Sequence, residues 1–139
     1  MYTDQKIVEY VAPSATGNGE ATGIEARYAV GLFPLILRRV GIILEQEAAT
    51  GTSAVATIQR RPVAGVAANE VTIDTITVPA NAAGDVFYVD GLDTEIGPGE
   101  DVVIDITTAM GTQATFGFVF EFDPKWDHPD NITEMNESA

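Results

Sequence analysis

Apolar residues alternate with polar or small ones in several segments of the chain. Four phenylalanines occupy every second position of residues 115–123. Because successive side chains of a strand point to opposite faces, this spacing predicts a strand whose phenylalanine face is buried. Residues 100–107 alternate in the same way, and the spacing predicts Val102, Ile104 and Ile106 on one face and Val103, Asp105 and Thr107 on the other.

Six further segments combine β-branched composition with Gly or Pro at their ends, which is typical of strands. Residues 35–47 are long enough for a helix, but Gly41 would cost a helix about 1 kcal/mol and β-branched residues dominate, so a strand is predicted. Residues 94–99 read as a tight turn. The six predicted strands are 6–11, 23–32, 35–47, 53–61, 70–78 and 85–89.

The length of 139 residues suits one domain. Many short strands without a strong helix predict an all-β fold, an antiparallel β-sandwich of jelly-roll type, with an immunoglobulin-like order as the open alternative. The sandwich is expected to span residues 23–124. Residues 1–22 are expected to form a strand and a Gly/Ala/Ser-rich arm that orders only against another surface, of this copy or of a neighbour, and residues 125–139 an acidic tail.

The charge balance narrows the possible partners. The chain has 21 acidic against 7 basic residues, a net charge of −14. Nucleic acids and anionic membranes are therefore not expected partners. The absence of cysteine excludes disulfides, zinc–thiolate sites and cysteine nucleophiles. A signal peptide is not expected at the N-terminus. A transmembrane helix is not expected either, since the most apolar stretch, Ala29–Leu44, is interrupted by Gly31, Pro34, Arg38, Arg39 and Gly41.

Candidate chemistry is sparse, and the chain is not predicted to be an enzyme. Its single histidine, His128, lies in the tail, and no serine occupies a nucleophile motif. Acidic residues crowd the turns around Gly97-Pro98-Gly99, where solvation is favoured over a structural calcium ion. No cofactor and no metal are predicted. The acidic residues around the Gly97-Pro98-Gly99 turn are Asp90, Asp93, Glu95, Glu100 and Asp101.

Two arginine pairs carry four of the seven positive charges. If residues 35–47 and 53–61 form a hairpin, the pairs face each other and require acids to offset their repulsion. The protein's own carboxylates or tail would supply them, or an intersubunit contact would. Trp126 is either an interface anchor or a plug beneath the sandwich. The predicted interface residues are Arg38, Arg39, Arg60, Arg61, Tyr2, Lys6 and Trp126.

A family resemblance rests on the strand segments themselves. These read Arg-Arg-Val-Gly-Ile-Ile-Leu-Glu, Ala-Val-Ala-Thr-Ile-Gln-Arg-Arg-Pro, Ala-Gly-Asp-Val-Phe-Tyr-Val-Asp, Ile-Gly-Pro-Gly-Glu-Asp-Val-Val-Ile-Asp-Ile-Thr and Phe-Gly-Phe-Val-Phe-Glu-Phe-Asp-Pro. Over residues 23–124 the chain resembles the small β-sandwich decoration, or cement, proteins of tailed-bacteriophage heads. The resemblance implies a virion protein on the outer capsid surface, a dimer or trimer that bridges and stabilises subunits of the major capsid protein. It carries over no catalytic residue.

Two other functions remain open from the sequence. A carbohydrate-binding or lectin-like sandwich would need an exposed aromatic platform, which Tyr10, Tyr28 and Tyr88 would form only if they converge. A tail or fibre component is the other alternative.

Overall fold

The residues that the structure describes form a sandwich of nine strands. The structure, a computed structural model, describes residues 6–12, 17–80 and 84–125. None of these residues belongs to a helix long and apolar enough to cross a membrane. The strands are β1 (Ile7–Val11), β2 (Gly23–Ala29), β3 (Leu35–Gln46), β4 (Ala54–Arg61), β5 (Val71–Val78), β6 (Val86–Val89), β7 (Thr94–Ile96), β8 (Asp101–Thr108) and β9 (Thr115–Pro124).

The strands form two antiparallel sheets that pack face to face. One sheet has the order β1-β9-β3-β6, with the short β7 also paired to β3, and the other has the order β2-β8-β4-β5. Most connections cross from one sheet to the other, and the resulting strand order is that of a jelly roll. The predicted all-β antiparallel sandwich of jelly-roll type is therefore confirmed.

The core lies between the two sheets and is dominated by β9. All four phenylalanines of that strand are fully buried, as their spacing predicts. In β8, Val102, Ile104 and Ile106 lie in the core cluster as predicted, and Val103, which is outside that cluster, is buried as well. Between the sheets, the ring of Tyr28 from β2 lies 4.8 Å from that of Phe122. The inner face of each strand thus fixes which residues its outer face presents.

The predicted hairpin between residues 35–47 and 53–61 is wrong. β3 and β4 lie in different sheets, so the two arginine pairs do not face each other across neighbouring strands. The connection, residues 47–53, is longer than most hairpin loops and crosses the roughly 10 Å between the sheets. This crossing lets both strands bury an apolar face in the same core from opposite sides.

Part of the predicted N-terminal arm is fixed to the sandwich. The buried Asn18 side chain donates from Nδ2 to Phe116 O at 3.0 Å and accepts from Phe116 N at 2.7 Å, as a neighbouring strand would. Gly19 N donates to Ala114 O at 2.9 Å. Residues 17–19 therefore order against this same copy of the chain. The strand β7 does differ from the prediction, since it lies where only a turn is predicted and buries Ile96.

Candidate functional site

A β-bulge brings two arginines to one face of the five-stranded sheet. Leu37 pairs with Phe122 and Arg39 with Glu121, so Arg38 is the extra residue of the bulge. Strict alternation would bury one of the two arginines. With the bulge, Leu37 and Val40 are both buried, while both arginine side chains are partly exposed.

Carboxylates from two neighbouring segments, β9 and the connection between β6 and β7, pair with these arginines. Arg38 donates to Asp123 at 2.7 Å and to Asp93 at 2.8 Å. Arg39 pairs with Asp90, and its Nη1 lies 3.5 Å from the carboxylate of Glu121. Lys6 at the start of β1 also approaches Glu121, at 3.9 Å. The protein's own acids therefore offset this arginine pair.

The pairing of Arg39 with Asp90 favours the charged form of both side chains. The hydrogen bond from Arg39 lowers the pKa of Asp90 below its usual value, and the same bond raises the pKa of Arg39. Together the cations and carboxylates line an open groove of about 470 Å³. Its rim offers donors and acceptors side by side, which suits a polar partner surface better than a simple anion. The lining residues are Lys6, Arg38, Arg39, Asp90, Gly91, Leu92, Asp93, Glu121 and Asp123.

Next to the groove, a row of apolar and aromatic residues runs across four of the five strands of the sheet, β1, β9, β3 and β6. Tyr10 pairs with Val119, Val119 with Gly41, and Gly41 with Tyr88. Both tyrosines are exposed, as is Val8 two residues before Tyr10. Three strand spacings separate the tyrosines, roughly 14 Å.

Glycines beneath the rings let the two tyrosines lie close to the sheet. A Cβ at Gly41 would meet the Tyr88 ring at 2.6 Å, and one at Gly117 would meet Tyr10 at 3.1 Å. The Arg39 guanidinium lies 4.2 Å from the Tyr88 ring centre, and Tyr10 Oη donates to Glu45 at 2.6 Å. These contacts hold both rings in place before any partner binds.

The second arginine pair belongs to the other sheet and has a different role. Arg61 is buried and donates two hydrogen bonds, of 2.7 and 2.5 Å, to the fully buried carboxylate of Asp101. Arg27 Nε and Gly65 N also donate to Asp101, at 2.6 and 3.0 Å. Arg60 lies 3.7 Å from Glu100. Arg61 therefore stabilises the fold through Asp101, an acid that the sequence predicts to be solvated in a turn.

Burial of the Asp101 carboxyl group raises its pKa, but the hydrogen bonds from Arg61 and Gly65 and the charge of Arg61 outweigh burial. The pKa of Asp101 is therefore lower than usual. Within the described part of the chain, no three His, Asp or Glu side chains form a group able to hold a metal ion.

The structure thus places three of the predicted interface residues, Lys6, Arg38 and Arg39, around one groove. Arg60 and Arg61 lie apart from it, on β4. Tyr2, Trp126 and His128 lie outside the described residues. The sequence suggests Tyr10 and Tyr88 only as members of a platform with Tyr28, and the strand order shows that the first two share a face while Tyr28 belongs to the other sheet.

No protein-family model matches the chain, and no curated protein matches it. Among solved structures, the crystal structure of murine APRIL at pH 5.0 is similar, with a TM-score of 0.44 and 13% sequence identity over 83% of this chain and 98% of that one. This likeness concerns the fold alone.

Proposed function

We propose that this protein is a structural binding protein that decorates the outer surface of a tailed-bacteriophage capsid. It would bridge and stabilise neighbouring subunits of the major capsid protein, as a dimer or trimer. The observation that carries the proposal is the outer face of the five-stranded sheet, where fixed tyrosines and exposed valines adjoin a groove of paired arginines and carboxylates.

The composition of this face is that of a protein interface. Tyrosine and arginine are enriched at the centres of interfaces, and rings fixed in advance lose little conformational entropy on binding. The arginines already have carboxylate partners, so a partner surface would exchange hydrogen bonds with the groove rather than neutralise a bare charge. The face therefore suits a broad, polar-rimmed contact with another folded protein.

The strongly negative net charge of −14 also fits a decorating role. Dimers or trimers that repel one another in solution stay apart until a partner lattice holds them. On a repeating shell, several modest contacts per copy add up through multivalency. The proposal therefore requires neither high affinity at one site nor a catalytic group.

Co-sedimentation tests this function directly. The purified chain is mixed with empty heads assembled from the major capsid protein encoded in the same genome, and the bound fraction is measured against concentration. Saturable binding in a fixed ratio to capsid subunits is the expected result. Absence of binding at micromolar concentration would refute the proposal.

A matched pair of variants locates the contact. Val8 and Val71 lie on edge strands of different sheets and have side chains of equal size, with exposed fractions of 60% and 49%. Val8→Ser is expected to weaken binding to heads, whereas Val71→Ser should leave it unchanged. Equal effects of the two substitutions would contradict the assignment to the five-stranded sheet.

Carbohydrate binding is the second candidate, and the shared row of Tyr10 and Tyr88 favours it. Tyr28, the third tyrosine considered for a platform, packs instead against Phe120 and Phe122 in the core. Titration calorimetry with soluble polysaccharides separates the two functions. Heat that disappears in both Tyr10→Ala and Tyr88→Ala, without binding to heads, would favour the sugar-binding alternative.

A further inference from the structure

Two loop segments leave the four-stranded sheet at the same end. Ala29, the last residue of β2, pairs with Asp101, and Asp101 pairs with Arg61, the last residue of β4. The segments that follow, residues 30–34 and 62–66, therefore start about two strand spacings apart, roughly 10 Å. Neither segment contains a charged residue, although the chain as a whole has 28, and the first charge after the second segment is Glu70, just before β5. We call these two segments the tip.

Backbone hydrogen bonds tie both loops to one turn. Val30 N donates to Glu100 O at 3.0 Å, and Ala64 N donates to Gly99 O at 2.8 Å. Beneath them the buried Asp101 carboxylate joins β2, β4 and the second loop through Arg27, Arg61 and Gly65. The tip is therefore built on a fixed base, which lowers the entropy lost when it binds.

The tip presents large apolar side chains to solvent. Leu32 is 86% exposed and Val63 is 58% exposed, and Phe33 and Val66 are also exposed. Four such side chains make an apolar patch of the order of a few hundred Å², a size at which patches on monomers are often functional. The outer face of the five-stranded sheet, by contrast, sets its apolar residues among ion pairs.

We propose that the tip is an apolar anchor that inserts into an uncharged recess of the capsid lattice. The inference rests on the proposed function and adds a second contact surface to it. A protein that bridges subunits needs two such surfaces, and the tip lies at an end of the sandwich while the first surface lies on a sheet face.

The size and charge of the tip select this occupant over a second copy of the chain. A stable two-chain interface buries about 800 Å² on each partner, roughly twice what the tip offers. Two copies meeting at their tips would also bring together chains that each carry a net charge of −14. A lattice supplies the remaining contact area through the sheet face, so a small anchor suffices there.

The test compares two isomeric side chains in the 139-residue chain. Leu32→Ser removes the most exposed apolar side chain of the tip. The control, Ile24→Ser on β2, removes the same number of carbon atoms from another exposed side chain, which is 46% exposed. Binding of each variant to heads is measured under the same conditions as binding of the unchanged chain. Leu32→Ser is expected to weaken binding by about tenfold or more, and Ile24→Ser by less than about twofold. Leu32→Met keeps a large apolar side chain at this position and is expected to bind as the unchanged chain does.

Mass in solution and melting temperature complete the test. If the unchanged chain does not bind heads, the proposed function fails. If it binds and Leu32→Ser binds equally well, only the anchor fails. Loss of a solution oligomer in Leu32→Ser with head binding intact would overturn the anchor in favour of self-association. A large fall in melting temperature with head binding intact would overturn it in favour of packing within the chain.

Discussion

Replacing Asp101 by asparagine removes the charge that three elements share. The carboxylate is fully buried and accepts bonds from Arg27, Arg61 and Gly65, and the Arg61 side chain is only 7% exposed. Asp101→Asn leaves a buried guanidinium without its counter-charge and turns an amide donor toward it. Breaking a buried pair in this way costs about 3–5 kcal/mol. In a chain of this length, that loss lowers the melting temperature by on the order of 10 °C.

Urea and thermal unfolding followed by far-UV circular dichroism measure this loss. The matched control is Asp105→Asn, the same substitution on the outward face of the same strand, where Asp105 is partly exposed and makes no ion pair within the described residues. The control is expected to change the free energy of unfolding by about 0.5 kcal/mol or less. Equal losses in the two variants would refute the reasoning that Asp101 secures the base of the tip.

Three further predictions concern pH, the core and the tyrosine row. The pKa of Asp101 in the folded protein lies below its ordinary value of 3.8, so the stability that its charge contributes is present above pH 3.8 and is lost as the pH falls further. In an acid titration, the free energy of unfolding should therefore fall less steeply in Asp101→Asn than in the unchanged chain. Phe118→Ala should cost about 3–5 kcal/mol of unfolding free energy in urea, since the ring is fully buried. Gly41→Ala should displace the Tyr88 ring, 2.6 Å from the new Cβ, and weaken head binding in co-sedimentation while melting within a few degrees of the unchanged chain.

The strands could be predicted because periodicity and punctuation are local properties. The phenylalanine strand and the valine–isoleucine strand before it are buried as their spacing predicts. The bulge at Arg38 also left a trace in the sequence, since the apolar phase shifts by one residue between Leu37 and Val40.

Pairing between distant strands could not be predicted in the same way. The proposed hairpin joined β3 to β4 because they are consecutive, whereas the jelly roll places β9 beside β3 and β8 beside β4. The partners of the arginines, the row of tyrosines and the burial of Asp101 all depend on this order. Asp101 is the clearest case, since nothing in an acidic turn distinguishes the one carboxylate that two arginines enclose.

The most direct test of the account is the thermal stability of heads with and without the protein, measured by differential scanning calorimetry. If each copy bridges subunits of the folded shell, the shell transition should rise with protein concentration and level off when the sites are full, because ligands that bind only the native state stabilise it. Val8→Ser and Leu32→Ser should each require more protein for the same shift, and Val71→Ser should not. An unchanged shell transition at saturating protein would contradict the account.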